Sequence, residues 1–331
     1  MQNDLSDRGT QQTGLIVGVD VGGTKIVAGV VNAQGQVCGR VQLPTETSRP
    51  EMVLQTIEAT IRQSVQAAGL SLAQLHGIGL GVPGEIDPLN GICRLAVNLG
   101  WQDVPVVDWL VAKLQLTCTI AIENDVSAAA LGEKLYGVGR NIANLVYLSL
   151  GTGIASKAII EGKLHRGTRG LAWEIGHTTM VPDGPLCRCG GRGCLDVLAA
   201  GPALARRVQE EIQSGKVSLL QTPVTTEQVF SAAAQGDDLA QQILAEAASH
   251  IALAIYQLAM NFDPQVIVLG GGLALEDGLF MEMIRAETAR WATRSPVFQR
   301  IYTPDLLCLT ALKRDVAILG AAALVSIQQE Q

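Results

Sequence analysis

The sequence predicts an α/β protein made of two similar halves, and three observations carry that expectation. β-rich runs alternate with helical patterns along the whole chain. Each half opens in the same way, with an apolar run, a glycine turn and a returning apolar run. The first half has runs 15–21 and 26–32 around Gly22-Gly23, and the second has 145–150 and 154–160 around Gly151-Thr152-Gly153. Such repetition points to an internal duplication. No linker rich in Pro, Ser or charge parts the halves, so the hinge is expected near Glu123. That gives residues 1–13 as a polar tail, 14–123 with 312–331 as a first α/β lobe, and 124–311 as a second.

The elements follow in order. Residues 36–43 are expected to add a third strand to the opening meander. In 51–68 the apolar positions Val53, Ile57, Ile61, Val65 and Ala68 recur at helical spacing. Residues 76–82 read as a buried strand ending at Pro83-Gly84, and 120–122 as a strand leading into an alanine-rich helix over 125–136. In the second half, a long helical stretch over 239–262 precedes a strand over 266–269 and the triplet Gly270-Gly271-Gly272. The apolar segment 316–327 reads as a helix that crosses back to the first lobe.

Composition narrows the function. Apolar residues make up 48% and charged residues 17%, enough for a sizeable core and no signature of disorder. The net charge of −7, without a Lys/Arg-rich run, disfavours nucleic acid as a partner. Unbroken apolar runs are short and no secretory signal is visible, so a cytoplasmic protein without a membrane partner is expected. Seven cysteines in that setting are not read as a disulfide framework.

Several motifs could carry chemistry. Asp20-Val21-Gly22-Gly23-Thr24-Lys25 lies between two strands, as either a tight hairpin or a backbone cradle for phosphate. It opens a strand rather than a helix and has its last two residues in the wrong order for a Walker loop. Residues 79–84 match G-x-G-x-x-G, but Pro83 and Pro88 interrupt the helix that dinucleotide binding would need. Glu123-Asn124-Asp125 stands at a strand–helix junction. There, Asn124 or Asp125 would cap the helix, or Asp125 would serve as general base for a hydroxyl. His177 with Cys187, Cys189 and Cys194 makes a Cys3His set in a glycine-spaced loop, which suits tetrahedral structural zinc better than a redox pair or chance thiols. Glu174, three residues before His177, reads as a solvated acid or as a hydroxyl-binding carboxylate.

These pieces, in this order, resemble the ROK family of bacterial sugar kinases, and most of all its glucokinases. The likeness runs from residue 15 to 324. It rests on residues 20–25, 82–84, Asn98-Leu99-Gly100-Trp101, Glu123-Asn124-Asp125, Gly151–Gly153, 174–177, the cysteine cluster and 270–272. The resemblance implies a two-lobed RNase H-like fold of the actin and hexokinase type, with ATP in an interlobe cleft and a zinc-binding loop. It implies Mg2+ on Asp20 and phosphates held by Gly22, Gly23, Thr24 and Lys25 with Gly151, Thr152 and Gly153. Gly270, Gly271 and Gly272 would lie beside the adenosine. Gly84, Asn98, Asn124, Glu174, His177 and Asp196 would hold the hexose while Asp125 takes the hydroxyl proton. Glucose is the expected hexose and a homodimer the expected assembly. Fructose, mannose, N-acetylglucosamine or N-acetylmannosamine are the alternative sugars, and a non-catalytic sugar-binding regulator the alternative role. Three departures from the family pattern bear on selectivity: Asp196 where Glu is usual, Trp173 where a small residue is usual, and Ala155-Ser156 where glycines are common.

Overall fold

The computed structural model describes residues 14–276 and 278–329. The polar tail expected over residues 1–13 lies outside them. Contacts divide the chain into two compact units. Unit 1 is drawn from Met1–Asn141, Arg166–Leu171 and Ala311–Gln331, and unit 2 from Ile142–His165 and Ala172–Thr310.

Unit 1 begins with β1 (Leu15–Val21), β2 (Lys25–Val31) and β3 (Val37–Pro44), an antiparallel meander whose β1 and β2 strands are almost wholly buried. Helix α1 (Pro50–Ala67) turns Val53, Ile57, Ile61 and Val65 onto one face of that sheet. Strand β4 (Leu75–Val82) then pairs parallel with β1. A small second sheet follows, from β5 (Glu85–Asp87), β6 (Ile92–Ala96) and β7 (Trp101–Val104). It occupies the turn-rich stretch where the sequence pattern offered no clear strand. After α2 (Val106–Leu114), β8 (Thr119–Asn124) pairs parallel with β4 and runs directly into α3 (Asp125–Tyr136).

Unit 2 opens with β9 (Leu145–Leu150), β10 (Ile154–Ile160) and β11 (Lys163–His165), again an antiparallel meander. Four helices come next: α4 (Leu195–Ala199), α5 (Gly201–Gln213), α6 (Thr226–Ala234) and α7 (Asp238–Phe262). Helix α7 is long and apolar enough to cross a membrane by length and composition. Its Ile243, Leu244, Ile251, Ile255 and Leu258 instead form the centre of the unit 2 core. Strand β12 (Val266–Gly270) pairs parallel with β9. Helices α8 (Gly272–Glu276), α9 (Gly278–Arg294) and α10 (Phe298–Ile301) lead to β13 (Leu307–Leu309), parallel to β12.

The final helix, α11 (Val316–Gln329), belongs to unit 1, where it packs on α3, β1, β4 and β8. It lies on the sheet face opposite α1. Successive strand residues point to opposite faces, and Val17 and Val19 meet α1 while Gly18 and Gly79 meet α11. A Cβ on Gly79 would overlap the Ala321 carbonyl, so the helix backbone rests on bare strand backbone.

The sheets are ordered β3-β2-β1-β4-β8 and β11-β10-β9-β12-β13, with the same sequence of antiparallel and parallel pairings. The duplication expected from the glycine turns is therefore present as duplicated topology. The division between units falls after Asn141 rather than near Glu123, because α11 packs along α3 and keeps it with the first sheet. Arg166–Leu171, expected in the second lobe, also belongs to unit 1, where Arg166 Nε donates to Glu123 Oε2 at 2.6 Å.

Candidate active site

In unit 1 the chemistry gathers at the ends of β1, β4 and β8, where β1 and β4 set Asp20 in register with Gly81. The β1–β2 turn is tight: Gly22 N donates to Lys25 O at 2.9 Å, and Thr45 Oγ1 donates to Gly22 O at 2.6 Å. The hairpin reading of this motif is thus correct as geometry, and it leaves the cradle reading open. A Cβ on Gly23 would lie 3.4 Å from Asn98, so the turn and the expected sugar contact Asn98 are neighbours. Burial pushes the Asp20 carboxyl up to about 7; the Asp125 carboxylate adds to the rise, while Lys25 and Arg40 oppose it. Asp20 and Asp125 therefore feel one another across this end of the sheet.

Asn124 is the cap of α3. Its side-chain oxygen accepts from Val126 N and Ser127 N, both at 3.1 Å, and its Nδ2 donates to Gly84 O at 3.2 Å. Gly84 has φ +97, and a Cβ there would overlap Leu95 O, so glycine is required. Asn124 thus supplies the cap through two amides, and Asp125 shares one of them. It stands in the first turn of α3, where its Oδ1 accepts from Val126 N at 2.9 Å and the helix N-terminus favours a carboxylate. Glu123 supports both, accepting from Asn124 N at 2.9 Å through one oxygen and from Arg166 through the other.

In unit 2 the turn Gly151-Thr152-Gly153 closes with Gly151 N donating to Gly153 O at 3.0 Å. Its mounting is the start of two helices: Gly201 N donates to Gly151 O at 2.9 Å, and Ile154 N donates to Asp196 Oδ1 at 2.8 Å. A Cβ on Gly151 would come 3.9 Å from Gly272 N, so the second glycine turn and the Gly270–Gly272 triplet lie side by side. The fold brings together the glycines expected at phosphate and adenosine, although more than a hundred residues separate them in sequence.

Glu174 begins a short helical turn ending at His177, whose N–H donates to Glu174 O at 3.0 Å. Beyond it, donor atoms of His177, Cys187, Cys189 and Cys194 all lie within 4.8 Å of one another. The Cys187 Sγ–His177 Nδ1 and Cys189 Sγ–Cys194 Sγ distances are both 3.7 Å. Bonds of ~2.3 Å to sulfur and ~2.0–2.1 Å to nitrogen about a tetrahedral ion put neighbouring donors roughly 3.5–3.8 Å apart, so the four residues fit a tetrahedral metal. The backbone N–H of Gly191 holds the Cys189 thiol below its ordinary pKa, while burial pushes the Cys194 thiol up to about 12.

Sequence reasoning missed Lys157. Its side chain is 4% exposed, and its ammonium donates to Glu174 Oε1 at 3.0 Å. The only local signal was a charge inside an otherwise apolar strand, Ile154–Ile160. Trp173, where the family pattern has a small residue, packs its ring against Phe262 and donates through Nε1 to His165 at 2.9 Å.

The chain is similar to known proteins along most of its length. A 287-residue stretch is 35% identical to a glucokinase of Streptomyces coelicolor, covering 84% of this chain and 88% of that one. An N-acetylmannosamine kinase of Shigella boydii is 32% identical over 92% of this chain and 96% of its own. A solved ROK family glucokinase from Streptomyces griseus, in complex with glucose and AMPPNP, superposes with a TM-score of 0.79 at 30% identity, over 94% of this chain and 99% of that one. The ROK family model matches residues 16–328, so this doubled fold with its carboxylate-headed helix and Cys3His loop belongs to the ROK family.

Proposed function

We propose that this protein transfers the γ-phosphate of ATP to a hydroxyl of a hexose, converting glucose to glucose 6-phosphate, with Asp125 as general base. The observation that carries the reading is the division of labour at the head of α3. Asn124 takes the cap, and the adjacent Asp125 stands on a rigid mount in the first turn of the helix, with a second carboxylate, Asp20, close enough to perturb. The glucokinase relatives, one of them solved with glucose and AMPPNP, support glucose and ATP as the ligands. The N-acetylmannosamine kinase relative keeps N-acetylated and epimeric hexoses in the test panel.

In this reading a hexose hydroxyl hydrogen-bonds to Asp125, which accepts its proton as the oxygen attacks phosphorus. Asn124, Gly84, Asn98, Glu174, His177 and Asp196 orient the sugar; Asn124 offers its second amide hydrogen, and Asp196 the oxygen not bonded to Ile154. The backbone of Gly22–Thr24 and Gly151–Gly153 holds the phosphates with Lys25 beside it, and Gly270–Gly272 lies at the adenosine. Asp20 would hold Mg2+, which supplies neutralisation of phosphoryl charge when bound. Structural Zn2+ would occupy the Cys3His cluster through His177 Nδ1, leaving the other ring nitrogen for a sugar hydroxyl. The same reading makes the protein a cytoplasmic homodimer that acts on small molecules.

The test is a coupled assay of ADP release with purified protein, Mg·ATP and a panel of glucose, mannose, fructose, N-acetylglucosamine and N-acetylmannosamine. Hexose-dependent ADP formation led by glucose is the expected result. ATP turnover indifferent to every sugar would overturn the proposal.

A further inference from the structure

Lys157 lies inside the apolar strand β10, and a lysine withdrawn from water is costly unless its ammonium is paired and hydrogen-bonded. Here the ammonium donates to Ala172 O at 2.9 Å as well as to Glu174 Oε1. The residue before it acts on the same segment: Ser156 donates to Trp173 O through its hydroxyl at 2.9 Å and through its N–H at 3.3 Å. Two consecutive residues of β10 thus hold the three consecutive residues 172, 173 and 174.

The held segment is strained. Trp173 has φ +75, a left-handed conformation that a bulky side chain adopts only when its surroundings enforce it. Enforcement comes from the Ser156 and Lys157 bonds on the backbone side and from Phe262 on the ring side, with ring centroids 3.8 Å apart. The turn at Trp173 aims Glu174, whose half-exposed carboxylate lines a groove of about 630 Å³ with Gln257, Leu258 and Asn261.

We infer that Lys157 is a positioning residue for sugar recognition. It fixes the side-chain direction of Glu174 and takes up one carboxylate oxygen, so Glu174 meets the sugar through the other oxygen alone. This rests on the reading of Glu174 as a hexose ligand. A carboxylate with both oxygens free grips two adjacent hydroxyls, whereas a tethered one reads a single hydroxyl in a fixed place. The substitutions at Ser156 and Trp173 that depart from the family pattern then belong to the same device, since they shape the turn that Lys157 secures.

The test compares Lys157→Met, Glu174→Gln and the double variant by glucose-binding calorimetry, with steady-state kinetics alongside. Each single variant is expected to weaken glucose binding about tenfold, with the KM for ATP within about twofold of the parent. The double variant is expected to bind no worse than Glu174→Gln alone, because Lys157 acts through Glu174. A folded Lys157→Met protein that binds glucose like the parent overturns the inference, and so does an additive double variant. If Lys157→Met does not fold, Lys157→Gln keeps a donor for Ala172 O without the charge, and unchanged glucose affinity in that variant is equally fatal. Glu174→Gln without effect removes the sugar-ligand assignment and the inference with it. Glucose binding without phosphate transfer removes the kinase reading alone, and the binding comparison still decides the role of Lys157.

Discussion

Asp196 Oδ1 accepts the backbone N–H of Ile154 at 2.8 Å, so the helix that follows the cysteine cluster holds the first residue after the Gly151–Gly153 turn. One oxygen of the carboxylate that shortens the family's Glu is therefore already employed in support of the turn. Asp196→Ala should cost about 1.5–3 kcal/mol in urea denaturation and raise the KM for ATP, because a charged acceptor is lost from the turn's mounting. Asp196→Asn retains an acceptor oxygen and should lose much less. A KM for ATP that stays level in Asp196→Ala would count against the turn as a phosphate site. Asp196→Glu should shift kcat/KM between hexoses, by moving the oxygen not bonded to Ile154.

The Cys3His cluster predicts a stability effect of its own. Protein purified without chelators should contain one zinc per chain by elemental analysis, and Cys189→Ser should lower both zinc content and Tm, since structural metal binding is folding free energy. A zinc-free protein of normal stability would remove the metal assignment.

Asp125→Asn should reduce kcat by about 100-fold or more with glucose affinity and Tm near those of the parent. The separation is clean because the cap of α3 is Asn124, worth about 1 kcal/mol, and stays in place. Near-normal turnover in a folded Asp125→Asn protein would exclude Asp125 as the base.

Asp20 sets a pH dependence. Its carboxyl is raised from 3.8 to about 7 in the folded chain, chiefly by burial. Between these values the folded protein holds a proton that the unfolded chain has released, so stability falls as pH rises from about 4 to about 7 and then levels. Without divalent cations, Tm should drop across this window, and Asp20→Asn should flatten the profile. Added Mg2+ should raise Tm more at pH 8 than at pH 5, where the carboxyl holds its proton.

Gly23→Ala tests the proposed phosphate role of the β1–β2 turn gently. A Cβ at Gly23 would stand 3.4 Å from Asn98, an ordinary contact, so the variant should fold. Its methyl group should keep phosphate from the backbone donors and raise the KM for ATP several-fold. A KM equal to the parent's would place the phosphates elsewhere.

The parts of this molecule legible in the sequence were those written in short-range pattern. Strand, glycine turn and returning strand recur in both halves, and the two sheets duly repeat one topology. The four residues of the Cys3His cluster lie close together in sequence around a glycine-spaced loop, so residue type and spacing sufficed to group them. The pairing of Lys157 with Glu174 escaped because it joins β10 to a loop seventeen positions later, and nothing local to either residue names its partner. The unit boundary escaped for a related reason. What keeps α3 with the first sheet is α11, far away in sequence, and no local feature near Asn141 records that packing. Strands β5 and β6 were obscured by their own turn, since the Pro, Asn and Gly that shape it dominate so short a stretch.

The packing of α11 on unit 1 also sets an order of assembly during translation. Because α11 follows all of unit 2 in sequence, the bare glycine face of β1 and β4 waits uncovered while the second unit emerges from the ribosome. At roughly 5–20 residues per second that interval is on the order of ten seconds or more. The half made first is consequently finished last, and one face of its sheet stays open until the closing helix arrives.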